Sequence, residues 1–306
     1  MIIDSFTSRT VLGADAKRRR RLQKLRDFNP LWTLVKETSD DTSPGKGRWD
    51  YTALSENPNI TWDIVRKNPK TSYRRWSYRA LSGNPNITWD IVIDNPDKPW
   101  DYGMMSANPN ITWDIVRKNP DKPWDYYWLS SNPSITWDII LENPDRPWNY
   151  NGLSENPNTT WDIVCYLSGY SGYAATMWDF HELSANPNIT WDIVRANPSV
   201  GWDYSMLSQN PNITWDIVRN NPHPNPGKPS AGWDYYFLSM NPNITWDIIR
   251  NNGNSDAGIP NMGQWNYYGI SRNPNITYDI IKANPDPPGG QWDYLGLSVN
   301  TFGIDR

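Results

Sequence analysis

Two spacings alternate along the chain from Trp49 to Tyr278, and only one of them changes. A W-[DNS]-[YF]-x-x-[LMI]-S signature leads to an N-P-x-x-T-[WY]-D-I signature. Thirteen residues always separate their leading aromatics, as in Trp49 to Trp62, Trp76 to Trp89 and Trp265 to Tyr278. The return step is elastic: eleven residues from Trp89 to Trp100, fourteen from Trp62 to Trp76, seventeen from Trp161 to Trp178, and nineteen from Trp246 to Trp265. Such a chain is a repeat array in which each unit buries its apolar face on its neighbours, with one junction packed and the other open to insertion.

The minimal repeat is 24 residues, and this self-similarity overrides the two globular domains that 306 residues would otherwise suggest. One elongated array is expected, with a basic arm at 1–28, a tryptophan-rich solenoid at 29–300 and a short tail at 301–306. Eighteen of the twenty tryptophans occupy the signature positions, and only Trp32 and Trp128 fall elsewhere. Asn29-Pro-Leu-Trp-Thr-Leu-Val35 reads as a shortened first unit capping one end, and Trp292 to Ser298 completes the last unit.

The punctuation favours helices over strands. In I-T-W-D-I-V the threonine suits an N-cap, the aspartate lies in the first turn at the positive end of the helix dipole, and the preceding isoleucine can staple across the cap. Proline often replaces the threonine in the partner segment, as in Pro99-Trp100-Asp101, where a helical first turn accepts it. Each segment stops at Asn-Pro, because the residue before proline is driven out of the helical region. An all-α solenoid, a superhelix of short helix pairs with some segments 3₁₀, is therefore expected, and a β-solenoid is the less favoured alternative.

Leu153-Ser-Glu-Asn-Pro-Asn-Thr-Thr160 resembles the L-A-x-N-P-x-T-P core of leucine-rich variant repeats, which alternate α- and 3₁₀-helices in a superhelix. More closely, N-P-N-I-T-W-D-I alternating with N-P-D-K-P-W-D-Y is similar to the tryptophan-rich repeat proteins of giant DNA viruses of protists. That resemblance covers roughly residues 29 to 300. It implies a giant-virus protein, either a virion structural component such as a minor capsid protein or a host-directed adaptor. Met1 to Asp27 match no repeat.

Chemistry-bearing residues are few. Two histidines and one cysteine, Cys165, supply neither a disulfide framework nor a usual zinc set, and no Ser-His-acid cluster recurs, so no catalytic, metal or cofactor site is expected. The repeated first-turn aspartates serve helix dipoles rather than a cation ladder, since each unit offers one carboxylate where a calcium loop needs several oxygens. The asparagines before proline are too uniform for a base-reading code, and a buried ladder satisfying turn backbone suits them better. The serines closing the first signature suit back-bonding to a helix carbonyl. With no secretory signal, the N-x-T sequons are expected to stay unmodified. No stretch approaches the roughly 18 apolar residues of a membrane span, so an intracellular or virion location, not a secreted one, is expected.

Charge is unevenly placed. Lys17, Arg18, Arg19, Arg20, Arg21, Lys24 and Arg26 lie in the arm, leaving 22 basic against 33 acidic residues for the rest. The arm is a candidate surface for a nucleic acid or an acidic partner, while the acidic body counts against nucleic acid as the main ligand. Three unlike inserts share the elastic edge and add Tyr166, Tyr170 and Tyr173, His223 and Lys228, and Asn254 and Asp256 as candidate partner-binding residues. The leading expectation is a non-catalytic scaffold that binds protein partners, other virion proteins or itself. A nucleic-acid-binding repeat protein using the arm is the alternative.

Overall fold

The helices among the described residues are four to ten residues long, most of them six, too short to persist alone, so their stability must come from what is stacked on either side. The computed structural model describes residues 29–38, 49–69, 76–170, 177–221, 232–252, 265–287 and 290–303, with the backbone alone for 168–170. Among the described residues there are twenty helices and no strand, and none of the helices is 3₁₀. The odd-numbered ones are α1 (Pro30–Thr38), α3 (Trp62–Lys67), α5 (Trp89–Asp94), α7 (Trp113–Lys118), α9 (Trp137–Glu142), α11 (Trp161–Tyr170), α13 (Trp191–Ala196), α15 (Trp215–Asn220), α17 (Trp246–Asn251) and α19 (Tyr278–Ala283). The even-numbered ones are α2 (Tyr51–Glu56), α4 (Tyr78–Gly83), α6 (Tyr102–Met105), α8 (Tyr126–Ser131), α10 (Tyr150–Glu155), α12 (Phe180–Ala185), α14 (Tyr204–Gln209), α16 (Tyr235–Met240), α18 (Tyr267–Arg272) and α20 (Tyr294–Val299).

The caps form as the sequence dictates. Thr61, Thr88, Thr190, Thr214, Thr245 and Thr277 accept the N–H three residues on, and Asp50, Asp125, Asp179, Asp203 and Asp234 each accept two N–H groups at the even helices. Thr112 and Thr136 make no such bond, yet their helices are α like the rest, so the expected 3₁₀ segments do not appear.

The fixed junction is fixed by asparagine. Asn84 is fully buried, and its Nδ2 donates to the carbonyls of Ser55 (2.8 Å), Asn57 (2.9 Å) and Ile60 (3.2 Å) in the preceding layer, while its Oδ1 accepts the Asn86 N–H at 2.8 Å. Asn108, Asn132, Asn156, Asn210, Asn241, Asn273 and Asn300 repeat the three-carbonyl rung. The sequon asparagines bridge layers too: Asn86 Nδ2 reaches the Pro58 carbonyl at 2.7 Å, so a glycan there would break a rung. Each signature serine ties two layers, as Ser55 Oγ donates to the Tyr51 carbonyl (2.6 Å) and accepts the Ser77 N–H (3.0 Å).

The expected elongated array is overturned by its ends, which meet. Asn57, in the first layer, donates to the carbonyls of Ser298 and Asn300 in the last, both at 2.9 Å. The Asp50 N–H reaches Ser298 Oγ at 3.2 Å, and Trp49 packs edge-on against Tyr294 as Trp76 does against Tyr51. These are the same bonds that join any two adjacent layers, so the ladder closes into a ring of ten even helices. The shortened first unit is no end cap. Its helix α1 is the tenth odd helix: Trp32 meets Trp76 (5.7 Å between ring centroids) just as Trp62 meets Trp100 (5.8 Å) two layers on. Glu37 accepts from Lys282 Nζ (3.0 Å) and Tyr278 Oη (3.1 Å), tying α1 to α19. Residues at the tail boundary take part as well, since Asn59 Nδ2 donates to the Thr301 carbonyl and Phe302 packs on the core.

Neighbouring even helices pack directly on one another for most of the circuit, whereas neighbouring odd helices, α1 and α19 aside, stand further apart. In a closed ring the tighter spacing belongs to the smaller radius, so the even helices form the inner wall. Their approach is close: a Cβ on Gly152 would lie 2.3 Å from the Tyr127 carbonyl oxygen, and one on Gly269 2.7 Å from that of Tyr236. Between the walls runs one continuous apolar core, with Leu54, Ile60, Leu81, Ile87, Leu129 and their equivalents inaccessible to solvent.

The elastic junction is clamped at its two ends. Trp100 Nε1 donates to the Asn95 carbonyl five residues back (2.9 Å), and Trp233 makes the same bond to Asn221 twelve residues back (2.8 Å). The indole bond recurs in loops of different length, and the short loop adds two backbone bonds, from the Lys98 N–H to the Asn95 carbonyl (3.2 Å) and from the Trp100 N–H to the Lys98 carbonyl (2.8 Å). The segment read as a loop at Cys165 to Tyr173 departs from this rule. Leu167 stands where seven of the other odd segments have the Asn of Asn-Pro, so no proline follows to stop the helix and α11 runs on to Tyr170.

Candidate functional site

Within each even helix, the aromatic, the aliphatic and the serine are set by packing, and the two residues after the aromatic vary. The first of them carries Thr52, Arg79, Gly103, Tyr127, Asn151, His181, Ser205, Tyr236, Tyr268 and Leu295 around the ring. Leu54 and its equivalents point into the core between the walls, so the opposite stripe of each even helix faces the ring axis. Ten helices packed at about 8–10 Å, each about 10 Å wide with its side chains, leave an opening on the order of 15 Å across.

Two arcs of this inner face carry distinct chemistry. In the first, the Tyr127 hydroxyl donates to Glu155 Oε1 in the next layer, and this bond, with partial burial, pushes the phenol pKa well up. Tyr127 sits edge-on to Trp128 at 5.0 Å. Partial burial, then repulsion from Glu155, raises the Glu182 carboxyl, and His181 Nδ1 lies 2.9 Å from Asp203 Oδ2, a contact that raises the imidazole pKa. In the second arc, Tyr236 and Tyr268 stack with planes 10° apart and centroids 6.0 Å apart, and Phe237 meets Tyr236 edge-on. The Arg272 guanidinium lies 5.5 Å over the Tyr268 ring and donates to its hydroxyl at 3.1 Å. Aromatic faces, carboxylates and one guanidinium set side by side suit polar and aromatic contacts to another macromolecule.

Of the residues singled out from sequence, Tyr166 lies exposed on α11, and Tyr170 ends that helix. Lys17, Arg18, Arg19, Arg20, Arg21, Tyr173, His223, Lys228, Asn254 and Asp256 lie outside the described residues. Sequence reasoning passed over Tyr127, Tyr236, Tyr268 and Arg272. Trp128 stood out only as a tryptophan off register, and His181 only as a scarce residue type. The signal was variation inside a constant framework, at the two positions after the aromatic and, for Arg272, at the one after the serine.

The first-turn aspartates are exposed, and Asp63, Asp114, Asp216 and Asp247 pair along their own helices, as Asp63 does with Arg66 at 2.7 Å and Asp114 with Arg117 at 2.6 Å. Among the described residues no three His, Cys, Asp or Glu side chains converge as a metal site, and no helix is long and apolar enough to cross a membrane. No family model, curated protein or solved structure matches the chain.

Proposed function

We propose that the chain is a non-catalytic ring scaffold that binds a protein partner on the inner face of its even helices. One observation supports this most: side chains that vary around the ring, among them Tyr127, Trp128, His181, Tyr236, Tyr268 and Arg272, gather on that face. A closed ladder suits such a role, because it presents these side chains on short rigid elements tied to both neighbours. In this reading His181 is an interlayer contact, not an acid or base, since its ring is engaged with the carboxylate that caps α14. The resemblance to giant-virus repeat proteins sets the partner among virion proteins or host proteins met during infection. A photo-cross-linking amino acid at position 236 or 127, with irradiation in the source material, tests the site. Partner adducts from these inner positions and none from position 141 on the outer wall are expected. Adducts from the outer wall alone, or confined to nucleic acid on the arm, would overturn it.

A further inference from the structure

The outer wall carries a repeated cleft that the inner-face reading leaves unused. Between the third and fourth layers, Trp113, Trp124, Tyr126 and Arg117 enclose a cavity of about 210 Å³, and the Arg146 guanidinium lies 5.8 Å over the Trp113 ring inside it. The matching cleft between the first two layers is lined by Trp62, Trp76, Tyr78, Arg66, Asp94 and Lys98, and is far larger, about 770 Å³. Lys98 stands where Arg146 does, yet its ammonium pairs with the adjacent Asp97 at 2.7 Å. Arg66 is likewise engaged with Asp63. Asp94 is the one charged group lining this cleft with no ion-pair partner among the described residues. The Trp62 indole N–H also has no acceptor there.

We propose that this cleft is a guanidinium-binding site and that its occupant is the arginine-rich arm of the same chain, residues 17–26. The cleft at Trp113 shows what such a site accepts: a flat cation laid on the indole. The unpaired Asp94 supplies the charge that a second guanidinium completes. Position favours the arm, which ends one residue before Asn29, and Trp32 of α1 touches Trp76, a wall of the cleft. Four arginines in succession, Arg18 to Arg21, begin eight residues from Asn29, a reach of roughly 26–29 Å when extended. Docked there, the arm would be drawn against the outer wall beside the ring closure, and an anionic partner would have to compete for it.

A photo-cross-linker at position 22 of the full chain tests this directly. Adducts should map to residues 62–78 or 94–98, within one molecule when labelled and unlabelled chains are mixed. Asp94 is exposed, so Asp94→Asn should leave the melting curve unchanged while lowering the adduct yield roughly two- to fivefold. Glu142→Gln, at the matching place in the filled cleft, should leave the yield as it is. Adducts elsewhere, adducts joining two molecules, or a yield indifferent to Asp94→Asn would each overturn the proposal.

Discussion

The two junctions of the repeat differ in how many bonds depend on chain length. At Asn-Pro, one buried side chain satisfies up to three carbonyls of the preceding layer and one N–H of its own turn, so any added residue displaces all of them. At the elastic step an indole N–H closes the mouth, with two backbone turn bonds added in the short loops, and none of these belongs to the buried asparagine ladder, so the loop can grow. Invariance in this fold thus follows the number of interlayer bonds per residue, not the size of the side chain. The tryptophans that dominate the composition mark a wall; the asparagines set the register.

Insertion separates the junctions most sharply. Four residues of Gly-Ser placed after Pro109 should cost at least about 4 kcal/mol, because buried carbonyls lose their donors. The same insert after Asp121 should cost less than about 1 kcal/mol, the price of a longer loop. Denaturant midpoints of the two variants check this, and equal losses would erase the distinction. Asn132→Ala keeps the chain length and removes only the rung. It should cost about 2–3 kcal/mol in the same measurement: the Ser106 carbonyl and the Ser134 N–H lose their partners, while the Asn108 and Ile111 carbonyls keep the Ile111 N–H and the Ser134 hydroxyl.

The elastic side has its own internal control. Trp202 donates to the backbone carbonyl of Asn197, just past the end of its helix, at 3.0 Å, whereas the equally buried Trp178 finds no acceptor for its indole N–H, because α11 runs on through the equivalent position, Leu167, to Tyr170. Trp202→Phe should therefore destabilise by about 1 kcal/mol more than Trp178→Phe. Calorimetry of both would show whether the clamp contributes beyond packing.

Much of this framework is legible in the sequence because it is local. A threonine before Trp-Asp, a serine closing the even segment and an asparagine before proline each have a short list of things they can bond. Closure is not local. It comes from a small difference in spacing between even and odd helices, summed over ten layers, and no single residue encodes it. The segment that completes the ring hides for a related reason: Asn29-Pro-Leu-Trp32 lacks the threonine and aspartate of its equivalents, and its slot lies beside the far end of the chain. The candidate face escaped notice because uniform positions attract the eye, while binding chemistry falls on the variable ones. At α11, the missing Asn-Pro was visible, and continuation of the helix was its direct consequence.

The smallest expected effect concerns the first inner arc. Asp203 raises the His181 pKa above its ordinary 6.5, so the folded state gains from the charged pair at acid pH. That gain is complete below the unfolded pKa and is lost as pH rises through the folded one, above 6.5. Both groups are part-exposed, and solvent screening holds the contribution to about 0.3 kcal/mol or less. His181→Gln should flatten this slope in the pH dependence of the melting temperature.

Closure is tested most directly by a distance. Spin labels at Thr52 and Leu295 sit on α2 and α20, the first and last even helices. A ring predicts the same label separation for this pair as for Thr52 and Arg79 on adjacent helices, whose axes lie about 8–10 Å apart. An open array would place Thr52 and Leu295 nine layers apart, on the order of 80 Å, and a separation near that value would contradict the ring.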